Sequence, residues 1–207
     1  MRETIAVTRF NQTTWNENCR WREKHNIKGC IYGTLQPICE KIHDNYKIYV
    51  LEMNNDTNTI EGIGIISNKK YPRQKIYSTN AYNRMIYKGT QRIDRSQYSK
   101  ETLNFIYSLE NLVFKGASHM KRGSGINILP VNRKLSSIES ALTQYTEQII
   151  LLLATEYNFN AEESIKNYMY PISKISQDLI LIRNKAPDKW IIEYIKDMFI
   201  NQMLLDH

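Results

Sequence analysis

Residues 46–67 constrain the fold more than any other part of the chain. Residues 46–53 alternate and are rich in Ile, Tyr and Val, residues 54–58 read Asn-Asn-Asp-Thr-Asn, and residues 59–67 return as a second β-branched run. A period of two sets alternate side chains on one face of a strand, and Asn and Asp close turns through their own side chains. The segment therefore predicts an antiparallel β-hairpin. Gly62 and Gly64, two residues apart on the return strand, predict a bulge or a close backbone approach.

Around this hairpin the pattern changes once. Residues 4–10 are β-branched and aromatic and read as a first strand, and residues 29–33 enclose a short Cys-Ile-Tyr strand between two glycines. Residues 13–25, polar around Trp15 and Trp21, predict a short helix capped by Thr13 or Thr14. Residues 71–95 read as loop and short strand, with Gly89 at a turn. From Ser99 onward the spacing becomes helical: Leu103, Ile106, Tyr107, Leu109, Val113 and Phe114 precede Gly116, a C-cap residue. Ser136 and Glu139 form a capping box for a helix to about Tyr157, with Ile138, Leu142, Tyr145, Ile149 and Leu152 on its buried face. A further helix is expected after Asn160, residues 179–183 suit strand or helix, and Asp188 opens a last amphipathic helix through Trp190, Tyr194, Met198 and Phe199. Strands first and helices after give an α+β protein. The division is residues 1–98 as a basic β region and 99–207 as a helical region, with a basic glycine loop at 115–134 and acidic helices at 135–207.

At 207 residues the chain can bury a core without disulfide or metal staples. The longest apolar run, residues 149–154, is far short of the roughly 20 residues that span a bilayer. The first residues, Met1-Arg2-Glu3-Thr4, lack a secretory layout. Cys19, Cys30 and Cys39 contain no C-x-x-C pair and suit reduced thiols, so an intracellular protein, cytoplasmic or nuclear, is expected. His25, His43 and Cys39 fit no zinc spacing, and no metal or cofactor is expected.

Charge is the most informative global feature. Residues 1–134 hold 22 Lys and Arg against 11 Asp and Glu, whereas residues 135–207 hold 6 against 10. The positive half clusters further: residues 69–95 carry eight cations and one acid, and residues 115–134 carry five cations and no acid. Such a footprint fits a nucleic-acid-binding region beside an acidic region serving dimerisation or a protein partner.

Two segments carry the chemistry. In residues 71–95, Tyr71, Tyr77, Tyr82 and Tyr87 interleave with Arg73, Lys75, Arg84, Lys88 and Arg92. Cations neutralise phosphates and aromatic rings stack unpaired bases at about 1–3 kcal/mol per base. In residues 116–125, three glycines accompany His119, Lys121 and Arg122, a composition that lets backbone N–H groups approach an anion. It is no P-loop, since G-x-x-x-x-G-K-[ST] is absent. His119 has no local carboxylate to orient it, and Asp44, Glu52, Asp56 and Glu61 fall around the hairpin and its turn, so no catalytic centre is expected.

The succession of Trp15, the Trp21-Arg22 pair, Gly29-Cys30-Ile31-Tyr32-Gly33, the strand ending at Glu52 and Ile60-Glu61-Gly62-Ile63-Gly64-Ile65 resembles the PUA-like barrels of the EVE, ASCH and YTH type. That resemblance covers roughly residues 1–95. It implies a small N-terminal β-barrel that binds RNA or a modified base, with Trp15, Trp21 and Tyr32 as candidates for an aromatic cage. The whole line, especially Lys115-Gly116-Ala117-Ser118-His119-Met120-Lys121-Arg122-Gly123-Ser124-Gly125, is similar to uncharacterised proteins of large eukaryotic DNA viruses, in keeping with its wealth of Asn, Ile, Lys and Tyr. The expected function is non-catalytic binding of RNA or of unpaired or modified DNA. The alternatives are a nuclease or base-modifying enzyme, and a genome-packaging or scaffold protein.

Overall fold

The structure is a computed structural model that describes residues 2–117, 119–130 and 187–205. The predicted helices after Ser136 and Asn160, and residues 179–183, lie outside the described residues. The hairpin forms as expected: β1 is Glu3–Phe10, α1 Gln12–Lys24, β2 Cys30–Thr34, and the hairpin strands are β3 Lys47–Asn54 and β4 Thr59–Ile66. The register slips between Leu51 and Met53, a bulge beside Glu52, and Asn58 takes a positive φ of 58° in the turn. β1 lies parallel to β3 from Glu3 opposite Lys47 to Phe10 opposite Asn54. A parallel pair needs a crossover, supplied here by α1 and β2.

β5 (Met85–Gly89) pairs with β2 as a separate two-stranded sheet, while β6 (Gln91–Asp94) pairs with β4. After α2 (Lys100–Phe114), the short β7 (Asn127–Ile128) adds to β1, giving a five-stranded sheet of order β6-β4-β3-β1-β7. α3 runs Pro187–Leu205. The protein is therefore α+β, with a five-stranded sheet and a two-stranded one among the described residues. No helix of the described residues is long and apolar enough to cross a membrane.

Seven of the eight β3 residues are buried, because the large sheet is covered on both faces. Ile5, Val7, Tyr49, Leu51 and Ile63 pack under α2 and α3 against Ile106, Leu109, Val113 and Ile195. Ala6, Phe10, Ile48, Val50 and Ile66 pack on the opposite side with Ile31, Ile86 and Tyr87 of the small sheet, and Trp15 and Trp21 of α1 lean on that second core. Each fully buried side chain of this kind contributes about 1.5–3 kcal/mol.

Two local expectations change. The cap of α1 is Asn11, upstream of both threonines: Asn11 Oδ1 accepts the Thr14 N–H at 2.8 Å, and Thr14 Oγ1 accepts the Asn11 N–H at 3.1 Å. The glycines of β4 accommodate side chains as well as a bulge. A Cβ on Gly64 would overlap Tyr32 Oη and Cys30 Sγ, and one on Gly62 would lie 2.6 Å from Arg92 Nη2 and 2.7 Å from Glu52 Oε2.

Candidate functional site

The C-terminal end of β1 opens into a cavity of about 210 Å³. Thr8, Arg9 and Phe10 meet the first turn of α1 there. Gly33 and Thr34 of β2, Asn55 of the hairpin turn, Tyr77 and Tyr82, and residues 123–125 complete the lining. Two segments predicted separately, the tyrosine-bearing one and the glycine loop, thus share one cavity.

Asn83 organises the tyrosine wall. Its Oδ1 accepts the N–H groups of Ile76 and Tyr77 at 2.9 and 3.0 Å, and its Nδ2 donates to the Tyr77 carbonyl at 2.7 Å. Tyr82 then stands edge-on to Tyr77, with ring centroids 6.3 Å apart and planes at 90°. Gly33 is required behind them, since a Cβ would press on the Tyr82 carbonyl at 2.5 Å and the Tyr77 ring at 2.9 Å. Tyr77 is buried, its hydroxyl accepts the Asn18 Nδ2–H at 3.0 Å, and burial holds its pKa above the ordinary value, so the ring is neutral. Tyr82 is 40% exposed and offers the accessible ring.

The glycine loop folds over the other side. Gly116, Gly123 and Gly125 have φ of +75°, +101° and +77°, values that only glycine adopts freely. Arg9 ties it down: Nε donates to the Met120 carbonyl at 2.6 Å, Nη1 to the Gly125 carbonyl at 3.3 Å and to Asn127 Oδ1 at 2.8 Å, and Nη2 also reaches Asn127 Oδ1. All these partners are neutral. Burial lowers the Arg9 pKa from its ordinary value, and the guanidinium stays protonated at neutral pH. His119 serves the same loop, its Nδ1 accepting the Lys121 N–H at 3.2 Å. Asn55 Nδ2 donates to the Lys121 carbonyl at 3.0 Å, leaving Asn55 Oδ1 buried without a hydrogen-bond partner.

The remaining predicted site residues lie in three settings. Arg73, Lys75, Arg84 and Arg122 are exposed, and Lys121 Nζ donates to Asn58 Oδ1 at 2.7 Å. Lys88 is half-buried, with Nζ 5.6 Å from the Trp21 ring and 5.9 Å from the Tyr71 ring. Arg92 has a 4% exposed side chain, donating twice to the 1% exposed Glu52 within 3.0 Å and to Asp94 Oδ2 at 2.8 Å. An interior arginine so engaged presents no face to a phosphate. Sequence proximity to the surface cations made it look like one of them.

The three aromatic candidates for a cage are likewise placed apart from the cavity. Trp15 packs edge-on against Phe10 at 5.2 Å beneath the cations of Arg22 and Arg92. Trp21 stacks on His25 at 3.9 Å, and the buried Tyr32 donates its hydroxyl to Glu52 Oε1 at 2.8 Å. None lines the cavity, whose aromatic members are Phe10, Tyr77 and Tyr82.

Carboxylates near the hairpin have structural partners. Glu52 holds Arg92, Asp56 Oδ2 accepts the Gln12 N–H at 2.8 Å, and Glu61 Oε1 accepts from Asn54 Nδ2 at 2.9 Å. Among the described residues no group of three His, Cys, Asp or Glu stands together as a metal set. The ion pairs among the described residues join Arg92 to Glu52 and Asp94, Arg95 to Glu110, and Lys196 to Glu3 and Glu193. Arg73, Lys75, Arg84, Lys88, Lys121 and Arg122 therefore have no carboxylate partner in that set. Sequence reading missed Arg9, Asn11, Thr14, Thr34 and Asn55. Thr14 and Asn55 were legible only as cap and turn residues, and Arg9 stood out as a cation inside a β-branched run. Compared with family models, curated proteins and solved structures, the chain matches none.

Proposed function

We propose that the protein binds nucleic acid without catalysing a reaction on it, holding an unpaired RNA or DNA strand at the cavity beside the end of β1. One observation carries this reading: Tyr82, the glycine loop and the acid-free Arg9 charge converge on a single opening. An exposed ring provides a stacking surface that every base can use, and cations without a carboxylate partner can neutralise phosphate. The exposed Arg84 and Arg122 lie within two residues of the lining Tyr82 and Gly123, the exposed Arg73 and Lys75 precede Tyr77 in the same segment, and clustered cations without acids fit an anionic partner. The likeness to a PUA-like barrel belongs to the same proposal. It is supported by the pairing of β3 with the glycine-bearing β4 and by the small sheet laid against β4.

The test is fluorescence anisotropy with labelled single- and double-stranded RNA and DNA across a salt series. The reading expects tighter binding of single strands, with log affinity falling by about 0.7 per phosphate contact for each unit of log salt. No binding near physiological salt would overturn it.

A further inference from the structure

We infer that a bound single strand makes a second contact about 10 Å from the cavity, on a cation–aromatic groove between the end of α1 and the end of β5. This extends the proposed function and rests on it. The groove measures about 630 Å³ and is lined by residues 26–30, 65–67, 71 and 88–90, with no acid among them. Ile27, Cys30, Ile65 and Ile66 make an apolar lining. Tyr71, 37% exposed, is fixed by its N–H donating to the Ile86 carbonyl at 2.8 Å. Lys88 Nζ lies 5.6 Å from the Trp21 ring and 5.9 Å from the Tyr71 ring, while Lys69 Nζ lies 5.9 Å from Tyr71. The exposed Lys28, also in the lining, adds one more cation.

The two sites are joined by shared elements. β2 has Gly33 and Thr34 at the cavity and Cys30 at the groove, roughly 10–13 Å along a strand at about 3.3 Å per residue. α1 has Thr14 at the cavity and Trp21 beside Lys88, about 10 Å away at 1.5 Å per residue. A flexible, regularly charged chain of stackable groups can pass from one to the other. A lysine clamped between two rings also covers apolar surface with its stem. That role alone leaves unexplained why Lys28, Lys69 and Lys88 gather around one groove where no acid lines the wall.

The experiment measures anisotropy of the full chain with labelled oligouridylates and oligothymidylates of graded length. It compares unmodified protein with a Lys69→Gln/Lys88→Gln double variant and with Tyr71→Ala, each checked for unchanged near-ultraviolet circular dichroism. Both variants should bind the shortest oligomers as the unmodified protein does. They should lose roughly tenfold on longer ones, where a stacked base and its phosphates reach the groove. The double variant should also lower the salt slope on long oligomers by about 0.7 per lysine. Unchanged affinity at every length overturns the second contact while leaving the cavity reading intact, and an equal loss at every length overturns it too. No binding by the unmodified protein overturns both.

Discussion

Arg92 and Arg9 lie on strands of the same five-stranded sheet, and their surroundings are opposite. Arg92 is buried between Glu52 and Asp94, with Tyr32 donating to the same Glu52 carboxylate. Arg9 is held by two carbonyls and an asparagine oxygen at the edge of a cavity. Desolvating a charge is expensive, and a carboxylate is the usual compensation. Where compensation is complete the arginine belongs to the fold. Where only neutral dipoles hold it, the positive potential remains for something else to meet. The difference separates a charge that the fold compensates from one that it leaves uncompensated, which charge counting along the sequence cannot do.

The largest effect should come from breaking the compensated side. Arg92→Met leaves Glu52 buried without its cation, and losing one member of a buried pair costs about 3–5 kcal/mol. Urea denaturation should register that loss, and the Glu52→Met/Arg92→Met double variant should recover much of it. A loss below about 1 kcal/mol in the single variant would show that Arg92 is not the interior charge described here. Gly64→Ala attacks the same cluster through space, since the added methyl overlaps Tyr32 and Cys30, and should cost about 1–3 kcal/mol.

Breaking the uncompensated side should move binding more than stability. Arg9→Gln keeps hydrogen-bond donors and removes the charge, so melting should shift little while single-strand affinity falls roughly tenfold or more. Tyr82→Ala should weaken single strands more than duplex, because only unpaired bases present a free face. If Arg9→Gln leaves affinity intact, the acid-free arginine is only a loop tie, and the contrast with Arg92 loses its functional meaning.

Much of the fold was readable because its signals are local. The hairpin announced itself through period and turn residues, and α2 through helical spacing ahead of Gly116. The α1 cap was misplaced because Asn11, Thr13 and Thr14 are all competent caps, and only the reciprocal bonds between Asn11 and Thr14 decide among them. The candidate site was readable as a set of residue types but not as a place. Tyr82 and Gly123 are brought together by long-range packing, with the following β7 docked on β1, which no short-range pattern encodes. Arg92 looked like its cationic neighbours because its partner Glu52 is 40 positions away on another strand. Gly62 was the available clue: a strand residue without a Cβ leaves room for a large neighbour, and the guanidinium fills it.

A smaller effect separates the two arginines by pH alone. Burial raises the Asp94 pKa, but the hydrogen bond from Arg92 and the Ser96 N–H and hydroxyl outweigh it, so the carboxyl is held below its ordinary value. A carboxyl depressed on folding contributes stability that is present above its unfolded pKa, about 3.9, and is lost as pH falls through the lower folded value. Asp94→Asn should therefore lower the urea midpoint by a constant small amount from neutral pH down to about 5. That difference should begin to shrink as pH falls below about 4, where the unfolded chain takes up the proton, and should vanish once pH is below the lower folded value. Arg9 has no titrating partner, so the stability difference made by Arg9→Gln should stay flat across the same range. Parallel pH profiles for the two variants would remove the distinction, because they would mean that a carboxylate stands behind both arginines or behind neither.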